Sequence, residues 1–219
     1  MQEKPAYSKR KDSIVTTGIC YIIGAGNCTR LPQNIKKEDM VIAVDGGYKY
    51  VKDTRVDLVV GDFDSLGYVP EHPNVLKLQP EKDDTDMLVS LKEGLKAGYK
   101  TFHIYGGCGG RLDHTLANIQ SLAFLQKQGA KGILHDDDTL ITMVKNGSLI
   151  LPAKQAGYLS VFSYSEKSEG VTLKGVKYPL EQATLTNAFP LGISNEFIGQ
   201  SAEIFVEKGC LLILYSHGK

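Results

Sequence analysis

The chain has 219 residues, enough for one large domain or two modest ones, each with its own core. Its 25 lysines and arginines balance 25 aspartates and glutamates, so no global field draws it to nucleic acid or an anionic membrane. No apolar run approaches the roughly 20 residues of a membrane-crossing helix, and no apolar signal core follows the basic, polar start Met1 to Asp12, so a cytoplasmic location is expected.

Over roughly the first 135 residues, short apolar strands alternate with helical patterns, the grammar of a parallel sheet covered by helices. Gly18 to Ile23 reads as a first strand, followed by the glycine turn Gly24-Ala25-Gly26. With Cys28 and Thr29 that turn is nearly a dinucleotide fingerprint, with Asp45 downstream, but Thr29 stands where a small residue belongs and Pro32 leaves little room for a long helix. Met40 to Val44, Asp57 to Val60, Val75 to Leu78 and Thr101 to Tyr105 continue the strand series. Met87, Leu88, Leu91 and Leu95 predict a helix ended by Gly98, and Leu116, Ile119, Leu122, Ala123 and Leu125 predict another before Gly129. Such stripes are core, because a helix covering a sheet must bury one face.

After about Asp138 the helical period vanishes. Thr139 to Lys145 and Ser148 to Leu151 predict a hairpin around Asn146-Gly147, which favours a type I′ turn. Leu159 to Tyr164, Val171 to Leu173 and Ala183 to Asn187 follow as short strands. Ser201 to Val206 and Leu211 to Tyr215 predict a second hairpin across Glu207 to Cys210. The expected fold is therefore a parallel α/β domain, residues 1–137, followed by a small antiparallel sandwich, residues 138–219.

The acidic residues fall where strands end. Asp45-Gly46-Gly47 follows the second strand, Gly61-Asp62-Phe63-Asp64-Ser65 the third, and Asp83-Asp84-Thr85-Asp86 the fourth. Parallel strands finish on one edge, where ligands bind, so all three motifs are expected at one crevice. Clustered carboxylates there repel unless protonated or matched by a multivalent cation, and all-oxygen ligands favour Mg²⁺. On an extended segment Asp62 and Asp64 would face one side, with Phe63 turned into the core. Asp84 also fits a plain helix cap, and Asp45 a plain turn residue.

Gly106-Gly107-Cys108-Gly109-Gly110-Arg111-Leu112-Asp113-His114 leads from the fifth strand into a helix. Glycines let backbone N–H groups approach phosphate, and Arg111 supplies a planar fork for its oxygens. Asp113 either caps the helix or holds Arg111, and His114 reads as a first-turn residue, with a catalytic role as the alternative. No Gly-Lys-Ser/Thr closes the loop, so it is not a Walker A site. Cys20, Cys28, Cys108 and Cys210 show no Cys-x-x-Cys spacing and are expected to be reduced. These parts alone suit a Mg²⁺-dependent phosphotransferase or phosphohydrolase.

The ordered set Asp45-Gly-Gly, Gly61-Asp-Phe-Asp-Ser65, Lys82-Asp-Asp-Thr-Asp86, Gly106-Gly-Cys-Gly-Gly-Arg-Leu-Asp113 and Ile193-Ser-Asn-Glu196 resembles that of the thiamine pyrophosphokinases. The resemblance runs from about Gly18 to the carboxyl end. It implies a Rossmann-like catalytic domain, a carboxyl-terminal β-sandwich and a homodimer with thiamine near the interface. It implies Mg²⁺ on Asp62, Asp64 and Asp86, with Asp83 or Asp86 accepting the substrate proton. ATP would meet Gly106, Gly107, Gly109, Gly110, Arg111, Asp113 and Thr85, while thiamine would meet Asp45, Ser194 and Asn195. Some animal members stack thiamine on a tryptophan; this chain has none, which leaves Phe189 or Phe197 for that contact.

Overall fold

The computed structural model describes residues 16–28, 30–79, 81 and 83–216, so Thr29, Lys82 and the stretch up to Asp12 lie outside the described residues. The chain divides into two units, Met1–Asp137 and Asp138–Lys219. The first is mixed α/β and the second is built of strands.

In the first unit β1 (Ile19–Ile23), β2 (Met40–Val44), β3 (Leu58–Gly61), β4 (Val75–Lys77), β5 (Thr101–Tyr105) and β6 (Lys131–His135) pair parallel. Their spatial order is β6-β5-β1-β2-β3-β4. Successive strands thus run outward one way from β1 through β4, and β5 and β6 lie on the other side. The order reverses between β1 and β5. Strand β2 is buried along its whole length, as a central strand covered on both faces requires. Strand β6 has no counterpart among the predicted strands. Its run Lys131-Gly-Ile-Leu-His135 is short and carries a glycine, which weakens the strand signal.

The short helix α1 (Tyr48–Val51) follows β2, and helix α2 (Asp86–Lys96) starts at Thr85, whose hydroxyl oxygen accepts from the Leu88 N–H at 3.2 Å. That gives the cap to Thr85 rather than Asp84. The helix ends at Gly98, which takes φ +94° as a chain leaving a helix often does. Its buried positions are Met87, Ser90, Leu91 and Gly94, so two of the four predicted core residues, Leu88 and Leu95, are half-buried. The reason is Gly94: a Cβ there would stand 2.6 Å from the Phe102 ring and 2.8 Å from Cys20 Sγ. The helix backbone presses on the sheet at that point, and Leu88 and Leu95 are turned aside. Helix α3 (Leu112–Lys127) buries Asn118, Ser121, Leu122 and Leu125, and leaves Leu116 55% exposed. The leucine stripe predicted through Leu116 is therefore rotated toward Asn118. In β6, Gly132 makes room for Leu122 and Leu125, each 2.7 Å from where a Cβ would sit.

The second unit comprises β7 (Thr139–Leu151), β8 (Tyr158–Ser163), β9 (Lys167–Lys174), β10 (Leu180–Thr186), β11 (Gly192–Glu196) and β12 (Ala202–Ser216), with every pairing antiparallel. Strand β12 pairs with β7 along its length, with β9 over its first half and with β8 over its second. Leu159, Val161, Val171, Leu173, Ile204 and Ile213 form the centre of the core. Neither predicted hairpin exists. Asn146-Gly147 and Glu207 to Gly209 sit inside two long strands, opposite each other, where the register jumps between Val206↔Gly147 and Cys210↔Lys145. Asn146 takes φ +46° and its Oδ1 accepts from the Gly209 N–H at 2.9 Å. A bulge needs the same left-handed residue as a tight turn, so the two devices share one sequence signal.

Replacing a helical glycine by alanine normally stabilises by about 1 kcal/mol. Gly94→Ala is expected to do the reverse, by about 1–3 kcal/mol, because the methyl group overpacks against Phe102 and Cys20. Urea unfolding measures the sign.

Candidate active site

The reversal between β1 and β5 opens a crevice at the carboxyl ends of the strands, and two glycine loops meet in it. The Gly24 N–H donates to the Tyr105 carbonyl and the Gly26 N–H to the Gly106 carbonyl, both at 2.8 Å. A Cβ on Gly24 would lie 2.6 Å from the Gly106 oxygen, and one on Gly26 would lie 2.3 Å from the Cys108 oxygen. Gly106 itself takes φ +61°. The loop that resembled a dinucleotide fingerprint is one half of a seam, and its glycines let two backbones touch. Among the described residues of the segment between β1 and β2 there is no helix.

Beside this seam lies a cavity of about 640 Å³. Asp45, Asp83, Asp84, Thr85 and Asp86 line it together with Gly106, Gly107, Gly110, Arg111 and Asp113. Residues from the ends of β2, β4 and β5 thus share one wall. Gly109 is outside that lining; it takes φ +74° and packs against the Asn27 side chain. Asp62 and Asp64 are outside it too. Phe63 between them adopts φ +65° with its ring buried, and the Asp64 N–H donates to Asp62 Oδ1 at 3.2 Å. The segment is a turn, not the extended run expected, although Phe63 does enter the core.

The charges on the wall are partly matched locally. Lys92, two turns along α2, donates to Asp84 Oδ2 at 2.5 Å. Arg111 holds Asp113 through two bonds, Nη2 to Oδ2 at 2.6 Å and Nε to Oδ1 at 3.2 Å. Asp113 therefore holds Arg111 rather than capping α3. Its hydrogen bond from Arg111 keeps its carboxyl below the usual range, and the same bond raises the guanidinium. Asp45 sits at φ +47°; its Oδ2 accepts from the Ser65 hydroxyl at 2.7 Å, and its Oδ1 is buried without a hydrogen-bond partner among the described residues.

Asn118, on the cavity wall, donates from Nδ2 to the Gly107 carbonyl at 2.7 Å and so fixes the glycine loop to α3. Sequence reasoning passed over it. Its signal was a polar residue on the otherwise apolar stripe of a helix. The Ser65–Asp45 bond spans twenty positions and has no such signal.

In the second unit Ser194 is exposed at φ +58°, and its N–H donates to Ser160 Oγ at 3.1 Å. Asn195 is buried instead: Oδ1 accepts from the Tyr178 N–H at 2.9 Å and Nδ2 donates to the Tyr178 carbonyl at 2.7 Å. Phe197 is 4% exposed beneath the Lys154 ammonium, 5.1 Å from its ring, whereas Phe189 is 66% exposed. Of the two aromatic candidates, Phe189 presents its ring to solvent.

Two family models match the chain. "Thiamin pyrophosphokinase, catalytic domain" matches residues 31–134, and "Thiamin pyrophosphokinase, vitamin B1 binding domain" matches residues 148–211. A thiamine pyrophosphokinase from Bacillus subtilis is 34% identical over 184 residues, which is 80% of this chain and 86% of the relative. Thiamin pyrophosphokinase 1 from Caenorhabditis elegans is 25% identical over 169 residues, 71% of this chain and 68% of the relative. A crystal structure of the Bacillus subtilis enzyme superposes with a TM-score of 0.80 at 29% identity, covering 91% of this chain and 98% of that one. The Candida albicans enzyme shares the fold, with a TM-score of 0.73 at 15% identity over 91% of this chain and 88% of that one.

Burial pushes the Cys108 thiol up to about 11, with Asp136 adding to the shift. The neutral thiol is thus the form present near neutrality, and the thiolate grows with pH up to that value. Alkylation of Cys108 by iodoacetamide is expected to speed up about tenfold per pH unit between pH 7 and 10. Peptide mass mapping reads it, and a plateau below pH 9 would contradict the burial of this loop.

Proposed function

The chain belongs to the thiamine pyrophosphokinase family, and from that premise we propose how its residues perform ATP-dependent pyrophosphoryl transfer to thiamine. The observation that carries the reading is the shared wall: carboxylates from separate strand ends, a glycine seam and a guanidinium, all on one cavity. That wall lies in the first unit, which we read as a Rossmann-like catalytic domain over residues 1–137. Residues 138–219 would then form a β-sandwich that binds thiamine and dimerises, in keeping with the vitamin B1 binding model over 148–211.

In the reaction the thiamine hydroxyl oxygen bonds to the β-phosphorus of ATP. The bond from that phosphorus to the oxygen bridging the α-phosphate breaks, and AMP leaves with the electron pair. The hydroxyl proton passes to a carboxylate, Asp83 or Asp86, both on the cavity wall. Gly106, Gly107 and Gly110 bring backbone close to the phosphates, and Gly109 shapes the loop against Asn27. The amino terminus of α3 adds its partial positive charge. Arg111 turns from Asp113 to the phosphate oxygens, so Asp113 keeps the fork in place until ATP arrives. Thr85 caps α2 through its oxygen, which leaves its hydroxyl proton to donate to ATP.

The donor set suits Mg²⁺. Asp62, Asp64 and Asp86 offer only carboxylate oxygen, the hard donor type that Mg²⁺ takes. Among the described residues no three His, Cys, Asp or Glu side chains form a ready metal cage. Mg²⁺ typically takes few protein ligands and completes its shell with water and phosphate. Asp62, Asp64 and Asp86 would hold it, and when bound it would neutralise charge developing on the phosphates.

For thiamine, the Asp45 carboxylate complements the positive ring. Exposed Ser194 supplies a hydroxyl, while Asn195, engaged with Tyr178, would act by fixing the strand that presents it. Phe189 would take the stacking role. Tyr158, Phe189, Leu191, Ile193 and Ile198 are large apolar residues left exposed on this unit, which supports a homodimer with thiamine near its interface. Cys20, Cys28, Cys108 and Cys210 are free thiols, which favours a reducing, cytoplasmic setting; among the described residues no helix is long and apolar enough to cross a membrane.

Incubated with ATP, Mg²⁺ and thiamine, the protein is expected to release AMP and thiamine diphosphate in equal amounts, dependent on thiamine. ADP as co-product would overturn the reaction class. Arg111→Ala is expected to lower kcat/KM by the equivalent of about 2–4 kcal/mol, as for loss of one strong transition-state donor. An unchanged value would make the loop purely structural.

A further inference from the structure

Three features meet at Asp45. Its backbone stands at φ +47°, a conformation that costs a non-glycine residue and persists only where the surroundings enforce it. One side-chain oxygen, Oδ2, accepts from the Ser65 hydroxyl at 2.7 Å. The other, Oδ1, is buried on a cavity-lining residue with no hydrogen-bond partner among the described residues. A buried carboxylate oxygen left bare is unfavourable unless a ligand meets it.

The surrounding backbone is shaped for this pair. A Cβ on Gly61 would lie 3.0 Å from the Asp45 Cα, so the end of β3 is pressed against the end of β2. A Cβ on Gly46 would lie 3.0 Å from Ser65 Oγ, so the absence of a side chain there leaves the hydroxyl its approach. The turn at Phe63 brings Ser65 back toward β2: its ring is buried and the Leu66 N–H closes on the Phe63 carbonyl at 3.1 Å.

The geometry points to Ser65 as a positioning residue that acts through Asp45. Its hydroxyl holds one carboxylate oxygen so that the other is offered, bare, to a cationic or proton-donating group in the cavity. This rests on the reading of the cavity as the reaction site. The shared chemistry is positive charge or a donor, and it can come from a divalent ion, from thiamine, or from the metal–nucleotide complex.

The test is a double-mutant cycle with Ser65→Ala, Asp45→Asn and both, with Ser65→Thr as the conservative rescue. Each variant is read twice: by AMP release, and by the rise in unfolding midpoint on adding Mg²⁺ alone, thiamine alone, or ATP with Mg²⁺. Ser65→Ala is expected to lower kcat/KM about tenfold, the lower end for a partner that orients a ligating group, with Ser65→Thr restoring most of it. The double variant is expected to match Asp45→Asn alone, and the same non-additivity should appear in the binding arm that depends on Asp45. Losses that multiply, or a Ser65→Ala protein like wild type in every arm, would overturn the proposal. So would a wild-type protein that none of the three ligands stabilises. Coupling in a binding arm without thiamine-dependent AMP release would sustain the Ser65–Asp45 pair and sink the assigned reaction. Should Ser65→Ala not fold, Ser65→Cys, with its weaker donor, carries the same comparison.

Discussion

The site depends on backbone contact between the loops that leave β1 and β5. Strand order reverses between these two strands, so their loops diverge to opposite faces of the sheet and leave a gap at their start. Here the gap is drawn tight at its base by two hydrogen bonds from Gly24 and Gly26 and by glycines whose missing side chains admit a neighbouring carbonyl. Asn118 ties the far loop to α3 through the Gly107 carbonyl. Each of these bonds satisfies a backbone group close to a cavity, where an orphan would be costly. The cavity wall therefore has its frame set by backbone contacts.

Around that frame the charges are sorted by how they are matched. Asp84 has Lys92 and Asp113 has Arg111, each partner on the same or the adjoining element. The Arg111–Asp113 pair is open to solvent and the Lys92–Asp84 pair about a third so, and exposed pairs of this kind contribute little to stability and mainly set where side chains rest. Asp45 is treated differently, with one oxygen fixed and the other bare. The contrast separates two carboxylates matched by a cationic side chain from one held only by a hydroxyl.

Much of this was legible in the residues themselves. Strands β1 to β3 were visible because buried parallel strands are continuous apolar runs, β4 and β5 because apolar residues recur in short segments, and the acidic motifs because they follow strands. The contacts that make the wall were not. Gly94 rotates α2 and Asn118 redirects α3 through packing with residues distant in sequence, and no local pattern encodes either. Asp62 and Asp64 were expected side by side on an extended segment, but the left-handed Phe63 turns the chain between them. In the second unit the Asn146-Gly147 signal was sound as chemistry and wrong as topology. The strand pattern resumes in phase on both sides of it, and Gly209 on β12 meets it with a second irregularity, so the ladder bulges instead of turning back.

Two non-glycine residues with left-handed backbone, Asp45 and Phe63, lie at the ends of adjacent strands. Each costs about 1–2 kcal/mol relative to an ordinary conformation, so something must hold it. Phe63 is held by burial of its ring in the core that contains Ile23 and Val59, a gain of about 1.5–3 kcal/mol that is large enough to offset its strain. Asp45 has no buried ring to anchor it. Its carbonyl accepts the Tyr48 N–H and its side chain the Ser65 hydroxyl, and Ser65 is brought there by the turn that Phe63 anchors. The apolar core thus bears the strain at one strand end and passes its geometry, through a single hydroxyl, to the carboxylate at the next.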